Sequence, residues 1–319
     1  MEKKSILFVY RNFSTFVRKD YDILKKKYKV IPLHATKNLF KLMLKLVWKI
    51  RKVDLVFIWF AGWHAFLAVL FAKIFRKKSV VVAGGYDAAY VPEINYGVFC
   101  SWWRGRLAKF VYKNADLVLA VSNYTKNEIL KHASPKRIEM IYHGFNWKKI
   151  KPVGKKENIV LSVGTAKVKR ADVFIESAKY LPSVDFILVG DMQKIKSPLP
   201  SNVKILKKMA FKKLLKLYQR AKVYVQISAS EGFGCSLAEA MLCECIPVVT
   251  RRGAIPEVVG DCGFYVPYND AKATAKAIKK ALNSKDNLGK KARERVVKLF
   301  PLEKRTEELL KSIEMIMNE

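Results

Sequence analysis

Acidic residues are scarce in this chain. Its 319 residues hold 27 Asp and Glu against 61 Lys and Arg, a formal net charge of +34. That balance excludes an acidic surface and favours anionic partners: nucleic acid, acidic lipid or phosphorylated substrates. A Lys-rich solvated surface is the plainer alternative, and charge alone does not decide. The excess is heaviest early, where residues 1–150 carry 29 basic against 9 acidic side chains. Cysteine is scarce as well. Cys100, Cys235, Cys243, Cys245 and Cys262 are too few for a disulfide framework in a chain this long, and their mostly apolar or Gly-rich surroundings suit reduced packing thiols. Cys243 and Cys245 have no second pair to complete a zinc site, so no metal is expected there. Long hydrophobic runs are nearly missing. One stretch, "LVFIWFAGWHAFLAVLFA" at 55–72, is 18 residues with no formal charge apart from a proton on His64. A membrane span is one reading; its β-branched and aromatic start, Gly62 and its basic far end favour strand plus helix. "MEKKSILFVY" is charged and then only briefly apolar, so no secretory leader is expected in it. Signatures of zinc fingers, RRM and KH modules are missing, which argues against nucleic acid. Neither first turn carries GxGxxG, which argues against a nicotinamide-dependent dehydrogenase.

What is present is alternation. Apolar residues make up 51% of the chain, enough for a core in each of two domains. "SILFVY", "KVIPLHA", "DLVFIWF", "SVVVAGG" and "ADLVLAVS" read as strands, separated by helical patterns such as "VRKDYDILKKKY" and "NLFKLMLKLVWKIRK". The pattern restarts with "IVLSVG", "DFILVGD", "VYVQISAS" and "IPVVT". Strands alternating with helices imply a parallel sheet covered on both faces. The Lys-rich segment 145–157, with Pro152 and Gly154, reads as the linker. Two doubly wound, Rossmann-like α/β domains follow: 1–148 and 149–300, with ligands in a cleft at the carboxyl ends of the strands.

The stretch "SASEGFGCSLAEAM" at 228–241 places Glu231 and Glu239 eight positions apart around "GFG". A buried strand enters it, the glycines turn the chain, and a helix begins near Cys235 and Ser236. Backbone N–H groups at such a helix start suit a diphosphate. The flanking carboxylates suit vicinal sugar or ribose hydroxyls. The alternative is that both acids only favour the helix start electrostatically.

The longer run "EGFGCSLAEAMLCECIPVVTRRGAIPEVVGDCGFYVPYND" resembles the signature of the family 4 retaining glycosyltransferases of the GT-B fold, with Glu-x7-Glu, "EAM", "PVVT" and "PEVV" in order. The likeness is strong over 151–319 and rests mainly on element order over 1–150. It implies a hexose transfer from a nucleoside-diphosphate sugar to a hydroxyl acceptor, with the anomeric configuration kept; no cofactor is expected, and, with "DYD" at 20–22 inside a helical pattern, no essential metal. A non-enzymatic nucleotide-sugar or polyanion-binding protein is the alternative. The resemblance maps Glu231 to the transferred sugar and Glu239 to the ribose. It maps the backbone of Gly232, Phe233 and Gly234, with Cys235 and Ser236 at the helix start, to sugar and phosphate. It also expects an Arg and a Lys after the first strand of the second domain, holding the diphosphate beside Gly164. Thr165 stands where the Arg is usual, and Lys169 and Arg170 are the favoured cations; a solvated basic turn is the alternative there. In the first domain Asp87 is the candidate for orienting the acceptor hydroxyl, or else a turn cap. His64 and His143 read as packed side chains. Glu244 departs from the small residue usual at its place.

Three further expectations concern context. "DYD" at 20–22 imitates a metal-binding Asp-x-Asp but falls in a helical pattern, where i and i+2 do not share a face. Lys37, Lys41, Lys45, Lys49 and Lys52 fall within an arc of roughly 120° of one helix, with more apolar surface beside them than one sheet contact needs. Trp102, Trp103, Arg104, Arg106 and Lys109 again set aromatic beside basic residues. Both suit an anionic membrane surface, and a lipid or lipid-linked glycan is then a candidate acceptor. Ordinary domain packing is the alternative. The protein is expected in the cytoplasm, peripheral on the inner face of the cell membrane. The tail 301–319, with Leu309, Leu310, Ile313, Ile316 and Met317 at helical spacing, is expected to pack back onto the first domain.

Overall fold

The computed structural model describes residues 3–36, 38–195, 198–284 and 287–319. The chain divides into two compact units. One takes the chain up to Gly144 together with Glu303–Glu319, and the other is Phe145–Leu302.

The first unit alternates strand and helix in chain order. Its elements are β1 (Ser5–Tyr10), α1 (Thr15–Lys27), β2 (Lys29–His34), α2 (Leu39–Ile50), β3 (Leu55–Trp59), α3 (Trp63–Ile74) and β4 (Lys78–Ala83), then α4 (Trp102–Asn114), β5 (Leu117–Ala120), α5 (Asn123–His132) and β6 (Ile138–Met140). All six strands are parallel, in the order β2-β1-β3-β4-β5-β6. The interior strands bury both faces, which is why "ILFV" and "LVFIW" are continuously apolar. Pro32 lacks a ladder donor and sits on the edge strand β2, where that costs least. The stretch 55–72 forms β3 and most of α3. Among the described residues no helix is long and apolar enough to cross a membrane.

The second unit repeats the plan with β7 (Glu157–Val163), α6 (Ala171–Ala178), β8 (Asp185–Val189), β9 (Val203–Leu206), α7 (Phe211–Arg220), β10 (Ala221–Gln226), α8 (Cys235–Leu242) and β11 (Ile246–Thr250), then α9 (Ile255–Val259), β12 (Phe264–Val266), α10 (Ala271–Asn283) and α11 (Leu288–Leu299). Its parallel order is β12-β11-β10-β7-β8-β9. The strands β6, β9 and β12, not anticipated from the pattern, are edge strands of three or four residues. Strands that short lack the buried apolar run that marks the interior ones.

The last helix, α12 (Leu302–Asn318), carries Arg305 into the first unit. The Arg305 guanidinium forks onto Asp20 with two bonds of 2.7 Å and also donates to the carbonyls of Ile141 and Tyr142. Both partners are buried. Asp20 is therefore the counter-ion of Arg305, while Asp22, two residues along α1, is exposed. Leu309, Ile313 and Ile316 bury the apolar side of α12. Removing one partner strands a buried charge, so Asp20→Ala should lower unfolding stability by about 3–5 kcal/mol in chemical denaturation. The apolar pair Asp20→Leu with Arg305→Met should recover most of that loss.

Candidate active site

Each sheet has a place where the chain reverses its direction of growth. In the second unit it lies between β7 and β10, since β8 and β9 extend one side and β10 begins the other. Loops leaving two such neighbouring strands part in opposite directions and leave a crevice at their carboxyl ends. Lys169 follows β7 and Glu231 follows β10, and they meet there. Lys169 Nζ lies 2.6 Å from Glu231 Oε1, and the same oxygen accepts from Ser228 Oγ at 2.6 Å. Backbone bonds brace the loops: Ala229 N–H donates to Val168 O, and Ala254 N–H donates to Glu231 O.

Two glycines are required by this geometry. Gly164 has φ +108°, and a Cβ on it would stand 3.0 Å from Lys169 Cγ, so the lysine stem lies across bare backbone. Gly253 has φ +61°, and a Cβ there would stand 2.4 Å from the Glu231 nitrogen. Gly234, at φ 98°, is the N-cap of α8 and has no side chain with which to cap it. Cys235 and Ser236 open α8, half-buried, and Glu239 lies inside it, buried. Gly232 is half-buried in the turn, and the Phe233 ring stacks on Phe145 and meets Phe300 edge-on in the interior of the unit. Burial raises the Tyr224 hydroxyl well above its usual range, and the charges of Glu231 and Glu239 add to the rise. Both carboxylates thus bear on one buried ring.

Arg170 goes elsewhere. Its backbone is left-handed, and its guanidinium is taken by Asp172, the Tyr268 hydroxyl and Asn269. Those bonds raise its pKa, with Asp172 the largest cause. Thr165, at the usual place of an Arg, accepts from Asp191 N–H at 2.9 Å and stitches the end of β7 to that of β8.

In the first unit the reversal lies between β1 and β3. A cavity of about 540 Å³ opens there, reached by Arg11 after β1, Trp63 and His64 after β3, Tyr86 after β4, and Trp103 and Arg104 on α4. Asp87 also lines it, but Oδ2 accepts from Ala61 N–H and Oδ1 from the N–H groups of Gly84 and Gly85. The carboxylate is committed to holding the turn, and burial raises its pKa. Sequence reading placed Trp103 and Arg104 on a surface and did not single out Arg11. The usable signal was position, since Arg11 directly follows the last residue of a central strand.

His64 is buried, with Nε2 2.9 Å from Trp59 O. His143 is buried with its ring parallel to Trp59. Burial lowers both pKa values, that of His64 to about 4. Below the ordinary value near 6.5 the unfolded chain takes protons that these rings refuse, so stability should fall as pH drops from about 6.5 towards 4. His64→Gln should flatten part of that slope, read as denaturation midpoints at stepped pH.

Residues 145–298 match the family described as "Glycosyl transferases group 1", and residues 8–148 match "Glycosyltransferase Family 4". The N-acetyl-alpha-D-glucosaminyl L-malate synthase of Bacillus anthracis is 28% identical over 286 residues, covering 80% of this chain and 72% of the relative. The phosphatidylinositol N-acetylglucosaminyltransferase GPI3 subunit of Saccharomyces cerevisiae is 26% identical over 242 residues, covering 66% of this chain and 54% of the relative. Among solved structures, Anabaena HepE in complex with UDP and glucose superposes with a TM-score of 0.82 at 18% identity, covering 98% of this chain and all of that one.

Proposed function

We propose that this chain, which belongs to the family 4 glycosyltransferases of the GT-B fold, moves a hexose from a nucleoside-diphosphate sugar to a hydroxyl acceptor with retention of configuration. The observation that carries the reading is the Lys169–Glu231 pair, 2.6 Å apart where the second sheet reverses and beside the start of α8, whose N-cap is Gly234. The diphosphate lies on the α8 start beside Lys169, Glu231 takes a hydroxyl of the hexose, and Glu239 takes the ribose. The lysine and the helix start stabilise charge as it develops on the leaving phosphate. The bond from C1 to the phosphate oxygen breaks, the acceptor oxygen bonds C1, and the acceptor's proton passes to the leaving phosphate. No separate base and no metal are needed in that scheme. UDP and glucose in the complex of Anabaena HepE make UDP-glucose the first donor to try. Arg170, engaged by Asp172 and Tyr268, is a support of the loop in this reading. Asp87 is a support of the cavity wall, and the hydroxyl acceptor enters the cavity of the first unit.

Glu239→Ala should weaken UDP and UDP-glucose alike, while Glu231→Ala should spare UDP and weaken UDP-glucose, each by about 10- to 100-fold in isothermal titration calorimetry. Equal losses for both ligands in both variants would contradict the assignment.

The acceptor is a lipid or lipid-linked glycan, with the protein peripheral on the cytoplasmic face of the membrane. The exposed side of α2 supports this. Phe40, Leu44 and Trp48 follow one another at four-residue spacing and are 71%, 57% and 60% exposed. Lys41, Lys45 and Lys49 run beside them, and Lys52 and Lys49 cover the Trp48 ring. Lys37 lies outside the described residues. Leu42, Leu46 and Ile50 take the sheet side, so the apolar exposed row is surplus to the core. An aromatic and basic row suits a surface of anionic lipid, which the cytoplasmic leaflet supplies. Replacing Lys41, Lys45 and Lys49 by Glu should release the protein from phosphatidylserine vesicles in a flotation assay and leave UDP binding unchanged. Undiminished flotation of that variant would make α2 an ordinary packing helix.

A further inference from the structure

The amino ends of the first sheet's strands carry a second cavity, away from the crevice at their carboxyl ends. Its volume is about 350 Å³, and Lys3, Lys4, Lys29 and Lys52 line it against one acid, Asp54. Sheet order gathers these residues. The strands β2, β1 and β3 are neighbours, about 4.8 Å apart, and each is entered past a lysine. Ser5 stands beside Lys29 in the ladder, and Asp54 N–H donates to Ser5 O.

The acid is already engaged. Asp54 Oδ2 accepts the Ser5 N–H at 2.6 Å and the Ser5 hydroxyl at 2.9 Å. The backbone bond above all lowers its pKa, so it stays a charged tie between two strand starts. Lys4 is engaged too, since its Nζ donates to Met317 O and Asn318 Oδ1. Among the described residues Lys3, Lys29 and Lys52 make no ion pair. Three ammonium groups are left around the cavity.

The cavity adjoins α2. Ile31 shares a face of β2 with Lys29 and packs against the core that Leu42, Leu46 and Ile50 of α2 cover. Lys52, just past the end of α2, lines the cavity and holds its Nζ 3.9 Å from the Trp48 ring centre. The exposed row of Trp48, Leu44 and Phe40 therefore starts at the cavity rim and runs back along the helix. The carbonyl end of α2 brings about half a negative charge, which three ammonium groups outweigh.

We infer that this cavity takes the phosphomonoester headgroup of a membrane lipid, of the phosphatidic acid type, with Lys3, Lys29 and Lys52 on its phosphate and its chains in the bilayer that the Phe40, Leu44 and Trp48 row enters. A phosphomonoester carries about 1.5–2 negative charges near neutral pH and three acceptor oxygens, one for each free ammonium. A diester headgroup offers one charge and two such oxygens. The apolar row at the rim favours a lipid over a soluble phosphate. The inference rests on the reading that α2 faces anionic lipid, and it names the lipid.

The test is flotation of the full chain with phosphatidylcholine vesicles that contain phosphatidic acid or phosphatidylserine at matched surface charge. Phosphatidic acid should hold the protein about tenfold more tightly. Lys3→Gln with Lys29→Gln, both at exposed positions, should erase that preference and leave UDP binding unchanged. Lys25→Gln with Lys26→Gln removes as much charge from the exposed side of α1 and should keep the preference. Equal flotation of the wild type on both lipids, or a preference that survives in the Lys3 and Lys29 variant, overturns the inference and leaves α2 as a surface for anionic lipid. Titration calorimetry with short-chain phosphatidic acid below its micelle concentration, and with glycerol 3-phosphate, supplies the second arm. The lipid should bind more tightly, and the Lys3 and Lys29 variant should lose it. Equal affinity for glycerol 3-phosphate would make the ligand a soluble phosphate and overturn the lipid. Short-chain phosphatidic acid bound through Lys3 and Lys29 by a protein that floats with no vesicle would keep the cavity and remove the reading of α2.

Discussion

Parallel strands cannot be joined by tight turns, and that constraint organises both units. Each strand must return through a crossover, so all carboxyl ends gather on one edge of a sheet. Where strand order reverses, two neighbouring loops separate and a crevice remains. The first unit reverses between β1 and β3, and the second between β7 and β10. The ion pair of Lys169 with Glu231 sits at one reversal, and the cavity of Arg11, His64 and Arg104 sits at the other. Arg11, His64, Lys169 and Glu231 come from the segments that follow those four strands, and Arg104 reaches the first cavity from α4.

The few acids are spent on architecture as much as on chemistry. Asp54 precedes β3 and accepts both the N–H and the hydroxyl of Ser5, the first residue of β1. Asp116 does the same for Ser79 on β4, from just before β5. Asp87 holds the turn after β4, and Asp20 neutralises the buried Arg305. Hydrogen bonds from Ser5 lower the Asp54 pKa, the backbone bond most of all. With these carboxylates placed as ties, most of the cationic surface stays uncompensated. That surplus is what anionic ligands and lipid surfaces would meet.

Much of this was legible in the sequence. The interior strands are legible because burial on both faces demands unbroken apolar runs. Edge strands carry no such demand, so "IEM", "VKIL" and "FYV" passed unread. The turn at 228–241 was legible because two acids flank glycines at a fixed spacing in an otherwise basic chain. Side-chain direction was not legible. Lys169 and Arg170 are adjacent and alike in charge, yet the left-handed backbone at Arg170 sends it to Asp172 and Tyr268 while Lys169 reaches Glu231. His64 read as a packed residue, and it is packed. What the sequence does not reveal is which of its two nitrogens the carbonyl of Trp59 claims. On α2 the lysine arc was visible, but not that Phe40, Leu44 and Trp48 stand outside the core beside it.

The central claim is that the turn after β10 and the start of α8 hold the donor. A crystal structure of the protein with UDP tests it most directly. The account predicts ribose hydroxyls within hydrogen-bond distance of Glu239, the diphosphate against the N–H groups of Cys235 and Ser236, and Lys169 Nζ turned towards phosphate oxygen. Nucleotide bound away from the β7–β10 reversal, with the Lys169–Glu231 pair undisturbed, would contradict it.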